Sequence, residues 1–123
     1  MEKYRTVIEG ALDLTDTMGE GIDYIRQQIG FGGFLDTLHM FNEILSACAA
    51  IETHLQLFAE KLPDNHLEEF IEKLRISFAS LALAYEQGNS ERRVLQVIQS
   101  MVSPAYESWR EELHRTLSPY TTL

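Results

Sequence analysis

From Phe34 to Leu62 the chain runs without a glycine or proline and carries a heptad ladder. Phe34, Leu38, Phe41, Leu45, Cys48, Glu52, Leu55, Ala59 and Leu62 follow at alternating steps of four and three. At about 100° per residue, these nine positions share one side of an α-helix. Ile44, Ile51 and Phe58 recur every seven residues beside them and widen the apolar sector to roughly half the circumference. A rod this apolar has to be covered by several others, so the segment dictates a helical bundle. Glu52 is the one ladder position out of character.

Three further helices follow from the same spacing. The first covers Glu2 to Ile29, with Tyr4, Val7, Ile8, Ala11, Leu14, Met18, Ile22, Ile25 and Ile29 on one face. Gly10, Gly19 and Gly21 each cost this helix about 1 kcal/mol relative to alanine, and they mark Gly19 to Gly21 as a place for a bend or fray. Gly30 is placed as its C-terminal cap. Pro63 closes the second helix, and Asn65-His66-Leu67-Glu68 reads as a capping box for the third. That third helix runs to Gln87 with Leu67, Phe70, Ile71, Leu74, Phe78, Leu81 and Tyr85 inward. Gly88-Asn89 supplies its stop and Ser90 a fresh N-cap.

The fourth helix presents Val94, Val97, Ile98, Met101, Val102 and Ala105, and Pro104 falls inside it. Proline removes one backbone hydrogen bond and crowds the preceding turn, so a kink or break is expected. Beyond it Trp109, Leu113 and Leu117 continue the stripe, displaced around the axis, until Ser118-Pro119-Tyr120. Long helices with short links favour antiparallel neighbours. The expected fold is all-α: one domain over residues 1–123, an antiparallel up-down four-helix bundle with a Pro-kinked or broken fourth helix.

Charge narrows the function classes. The formal net charge is −9, and residues 30–89 carry nine acids against three bases. An acidic surface repels phosphate backbones and anionic membranes, so neither nucleic acid nor membrane is an expected partner. No stretch reaches the roughly 18 apolar residues of a membrane span. The N-terminal Met-Glu-Lys-Tyr-Arg lacks a signal-peptide layout, and the single Cys48 cannot form an internal disulfide. A cytoplasmic location is expected.

Several features could carry chemistry. Glu2, Glu9, Asp13, Asp16, Glu20 and Asp23 form an acidic seam on the first helix, opposite its apolar stripe. The seam is a solvated face or a docking strip for a basic partner. Its spacing lacks the oxygen ligands of a calcium loop. Asp36/His39 and Glu111/His114 have the i,i+3 spacing of carboxylate-bridged metal sites but point away from the apolar sectors, so they are read as surface residues. Arg110 and His114 stand one residue short of the Arg–His spacing of helical HEPN ribonucleases, and nothing is carried over from that pattern. His54 lies on the border of the apolar sector and His66 in the first turn of the third helix, and no Ser, His and Asp cluster suggests a nucleophile relay.

Gly30-Phe31-Gly32-Gly33 reads as a hinge, with Phe31 either tucked under the bundle's end or offered to a partner. Glu52 either finds a partner on a neighbouring helix, sits on a rim, or contacts a ligand. Ile76, Ala79 and Leu83 form a second apolar strip on the third helix, to be covered by the C-terminal segment or by a symmetry mate.

No catalytic constellation is complete, and no cofactor or metal site is expected. The expectation is a small non-catalytic protein-interaction module (adaptor, chaperone or regulatory partner) that also self-associates. Its partner is a protein, in one version basic and held by Glu9, Asp13, Asp16, Glu20 and Asp23. Ile76, Ala79 and Leu83 are the candidate dimer contact. The alternative is a ligand- or metal-binding bundle enzyme with its pocket at Glu52.

Overall fold

The computed structural model describes residues 2–87 and 91–121; the stop and cap expected at Gly88, Asn89 and Ser90 lie outside these. Among the described residues every regular element is helical. A short 3₁₀ turn precedes α1 (Arg5–Gln28), and α2 (Phe34–Phe58), α3 (Leu67–Glu86), α4 (Glu91–Val97) and α5 (Ser103–Leu117) follow. Ile98–Val102, a π-helical turn, joins α4 to α5, so the two form one interrupted rod. Four rods alternate in direction and surround the core in chain order: α1 lies against α2 and α5, and α3 packs on α4 and α5 and faces α2 across aromatic pairs. The four-helix bundle is present as expected.

Each rod buries the face its spacing announces. Ile8, Ala11, Met18, Ile22, Ile25 and Ile29 on α1 meet Phe41, Ile44, Cys48, Ile51 and Phe58 on α2. On α3, Leu67, Ile71, Leu74, Phe78, Leu81 and Tyr85 are inward; the last rod supplies Val94, Val97, Ile98, Val102, Trp109, Leu113 and Leu117. The ladder of α2 is shifted from its expected centre. Leu45 and Ala59 face outward, and the helix gives way to a 3₁₀ turn at Ala59–Lys61, before Pro63.

The interruption expected of the last rod falls just before Pro104. The amide of Ser103 donates to the Ile98 carbonyl, a five-residue step, and Pro104 enters just after this widened turn, in the first turn of α5. The one bond that its nitrogen cannot make falls at the junction of the widened turn and α5, where the bonding pattern changes register. The extra residue in the turn also displaces the apolar stripe beyond it, which brings Tyr106 inward.

The glycines of α1 act as contact points, not as a bend. The helix is continuous from Arg5 to Gln28. A Cβ on Gly21 would lie 2.9 Å from Ile44 Cγ1, so α2 approaches only because none is there. Gly19 admits the Tyr106 ring, whose hydroxyl donates to the Thr15 carbonyl at 2.8 Å. Gly30 and Gly32 take φ of 92° and 82°, a region that favours glycine, and turn the chain into α2.

Five polar residues among those described are buried, and the apolar pattern marks none of them: Thr15, Thr37, Ser77, Glu112 and Thr116. The Trp109 indole donates to Thr15 Oγ1 at 3.4 Å, joining α5 to α1. The Tyr85 hydroxyl donates to Thr37 Oγ1 at 3.1 Å, and Thr37 donates to the Phe34 carbonyl at 2.7 Å. Thr37→Val keeps the shape and removes the acceptor, so a loss of about 1 kcal/mol is expected in urea unfolding. Tyr85→Phe should cost less in that background than in the wild type.

The third helix starts differently from the expected capping box. Asn65 Oδ1 accepts from the Leu67 amide at 2.9 Å, as a turn-forming Asn does. The carboxylate comes from across the bundle: Glu112 Oε2 accepts from the His66 amide at 2.6 Å. Arg115 donates to both Glu112 oxygens at 2.8 Å. This acid therefore fastens α5 to the positive end of α3.

Candidate functional site

Openings mark the surface where rods meet imperfectly. One is a cleft of about 770 Å³ between α1 and the last rod. Its α1 wall carries Asp16, Glu20 and Asp23; the opposite wall carries Ser103, Tyr106, Glu107 and Arg110. Half of the acidic seam thus lines a cleft. Asp16 Oδ1 lies 3.9 Å from Arg110 and 3.7 Å from His114 Nε2, and Asp23 pairs with Arg26 at 3.3 Å. Glu9, outside the cleft, pairs with Arg5 at 3.0 Å. Asp13 and Glu20 have no ion pair among the described residues. Burial pushes the Tyr106 hydroxyl up to about 12, against the pull of nearby Arg110.

Two further openings lie end to end between α2 and α3, and their origin is steric. At one end, aromatic pairs hold these helices apart. Phe34 and Tyr85 ring centres lie 5.3 Å apart, Phe41 and Tyr85 5.4 Å, Phe41 and Phe78 6.1 Å. Between and beyond these rings the facing residues are small: Cys48, Ala49, Ala79 and Ala82. Spacing set by rings and filled by small side chains leaves a trough of about 310 Å³, with Leu45 and Phe78 also in its wall. Past it a second hollow of about 500 Å³ opens between Leu55, Gln56, Ala59, Leu62 and Leu67, Glu68, Ile71.

Glu52 and Arg75 line both hollows and divide them. Glu52 Oε1 stands 2.9 Å from Arg75 Nε as an ion pair without good hydrogen-bond alignment, and Arg75 Nη2 reaches Glu72 at 3.0 Å. The ladder's odd acid is thus a half-exposed rim residue with a partner on α3. Cys48 sits below it. Burial first, and the Glu52 charge second, push its thiol up to about 11, which leaves it protonated and unreactive at neutral pH.

The remaining candidates fall on the surface or have structural partners. Ile76 and Leu83 are 54% and 57% exposed. The C-terminal segment does not cover them: Arg5 Nη2 donates to the Thr121 carbonyl at 3.2 Å, which ties that segment to α1. Phe31 is 83% exposed, so it is not tucked under the bundle. Asp36, His39 and Glu111 are exposed. His114, read as a surface residue, is half-buried beside Asp16. His54 Nδ1 lies 2.6 Å from the Ala50 carbonyl, and His66 lies 3.4 Å from Glu69. Among the described residues no three His, Cys, Asp or Glu side chains converge as metal ligands would. No described helix is long and apolar enough to cross a membrane.

Comparison with known proteins adds a family and nothing finer. No curated protein and no solved structure matches the chain. Residues 6–112, nearly the whole bundle, match the family model described as a domain of unknown function, DUF8042. The chain is therefore a member of the DUF8042 family.

Proposed function

We propose that this protein is a non-catalytic interaction module of the cytoplasm, an adaptor, chaperone or regulatory partner, that binds other proteins through its α2–α3 face. The observation that carries this reading is the open trough between α2 and α3, with exposed Leu45 in its wall and exposed Ile76 and Leu83 next in sequence to its lining residues Arg75 and Ala82. Apolar surface left open beside a hollow is most economically explained by something that covers it. A second copy meeting Ile76, Ala79 and Leu83 across a two-fold axis is the self-associating form of the same reading.

The competing reading, a ligand- or metal-binding enzyme centred on Glu52, has less to draw on, because Arg75 already occupies that carboxylate. Elemental analysis of protein purified without chelators bears on it directly. Stoichiometric iron, manganese or zinc would reverse the ranking.

Affinity capture from the native cell, read by mass spectrometry, tests the proposal with two double variants. Ile76→Asp with Leu83→Asp changes only exposed positions, so folding is expected to be retained while partner capture falls at least tenfold. Asp13→Lys with Glu20→Lys tests the acidic seam, and capture is expected to survive it. Loss only in the seam variant would move the contact surface to α1. Absence of any stoichiometric partner would remove the interaction reading.

A further inference from the structure

We infer that the α2–α3 groove receives one amphipathic helix of another protein, with Leu-type residues on its buried face and Lys or Arg on its flanks. This rests on the interaction reading above and adds the chemistry of the occupant. The two hollows meet at Glu52 and Arg75, so they form one groove, interrupted by that ion pair and lined on α3 from Leu67 to Ala82. At 1.5 Å per residue that is about 22 Å, the length of a helix of roughly 15 residues. Its lining mixes large Leu45, Phe78 and Ile71 with small Ala49, Ala79 and Ala59, and such a surface suits side chains at i, i+3, i+4 and i+7 of a docked helix.

The rim decides the sign of the occupant. Glu52 and Glu68 line the groove, Glu72 stands beside it on Arg75, and Arg75 is the one counter-charge among the described lining residues. A second copy would bring the same acidic rim against this one, and like charges held together are unfavourable. Basic flanks instead satisfy Glu68 outright and compete with Arg75 for Glu52. Arg75 thus acts as an internal occupant that an incoming guanidinium or ammonium displaces.

A labelled Leu–Lys helical peptide of 18 residues, followed by fluorescence anisotropy at near-physiological salt, tests this against two controls. One is its Leu–Glu counterpart; the other is a scrambled Leu–Lys peptide of identical composition. The expected result is binding of the amphipathic Leu–Lys peptide alone. Ala49→Gln with Ala79→Gln adds neutral bulk at exposed positions and should weaken binding at least tenfold. Glu52→Gln with Glu68→Gln should weaken it about fivefold and flatten its salt dependence, and Arg75→Gln should strengthen it.

Circular dichroism of each variant establishes that the bundle is intact. Should Ala49→Gln with Ala79→Gln unfold the protein, Ala82→Ser with Arg75→Gln and the charge pair give the same reading without added bulk. Equal binding of Leu–Lys and Leu–Glu peptides, no binding of either, or indifference to the groove variants overturns the inference. A wild-type dimer in sedimentation that Ala49→Gln with Ala79→Gln renders monomeric also overturns it, by giving the groove to a second copy. Partner capture that persists through all groove variants sinks the groove assignment while leaving the interaction reading standing.

Discussion

Replacing Gly19 with alanine is expected to destabilise the protein by about 2 kcal/mol, although glycine to alanine inside a helix ordinarily stabilises by about 1 kcal/mol. The reversal comes from Tyr106. A Cβ at Gly19 would lie 2.7 Å from Tyr106 Cζ and closer still to its hydroxyl oxygen. The ring is buried and cannot step aside cheaply, and moving it also breaks its bond to the Thr15 carbonyl. Gly10→Ala is the control: its Cβ meets only His54, the nearest atom being Nε2 at 3.3 Å, so a change within about 0.5 kcal/mol is expected. Thermal and urea unfolding measure both. Tyr106→Phe should be less harmful in Gly19→Ala than in the wild type, because it removes the atom that clashes first. Gly19→Ala as well tolerated as Gly10→Ala would mean that the α1–α5 contact is looser than described.

Glu112→Gln is expected to cost about 2 kcal/mol at pH 7. The carboxylate accepts from a helix-terminal amide and from Arg115, and an amide oxygen can serve only part of that set. The pH dependence identifies the cause. The Arg115 hydrogen bonds, and then the His66 amide, hold the Glu112 carboxyl below the usual carboxylate range. A lowered folded-state pKa contributes stability that is complete above the unfolded value, about 4.3, and is lost as pH falls through the folded value. Wild type and Glu112→Gln should therefore differ most at neutral pH and converge in acid. Parallel stability curves between pH 7 and pH 3 would show that packing, not charge, holds the junction.

These two residues also mark where sequence reasoning stopped. The apolar ladders placed all four rods and most of the core, because burial leaves a periodic trace in residue type. Gly19 and Gly21 carry the opposite trace: in a single sequence a missing side chain reads as weak helix propensity, and only a neighbour reveals it as room for a ring. Thr15 and Thr37 were legible in principle. Thr15 completes the run Ile8, Ala11, Met18, Ile22 at steps of three and four, and Thr37 precedes Phe41, Ile44 and Cys48 in the same rhythm. Residue type hid them, since Thr is common on surfaces.

Glu112 could not be found this way, because its partner amide lies 46 positions away. The groove was half legible. Glu52 broke the ladder and Ile76 and Leu83 formed a spare strip, but the aromatic spacers that open the hollow act between helices.

Because each rod lies beside the next one in the chain, most pairings close short loops and cost little chain entropy. The exception is the seam where Thr15 meets Tyr106 and Trp109, 91 and 94 positions downstream. Folding can therefore proceed like winding a ribbon from either end, with that last stitch drawing the two ends together. Such local wiring belongs to fast folders, and it lets the leading hairpin form while the remainder is still being synthesised.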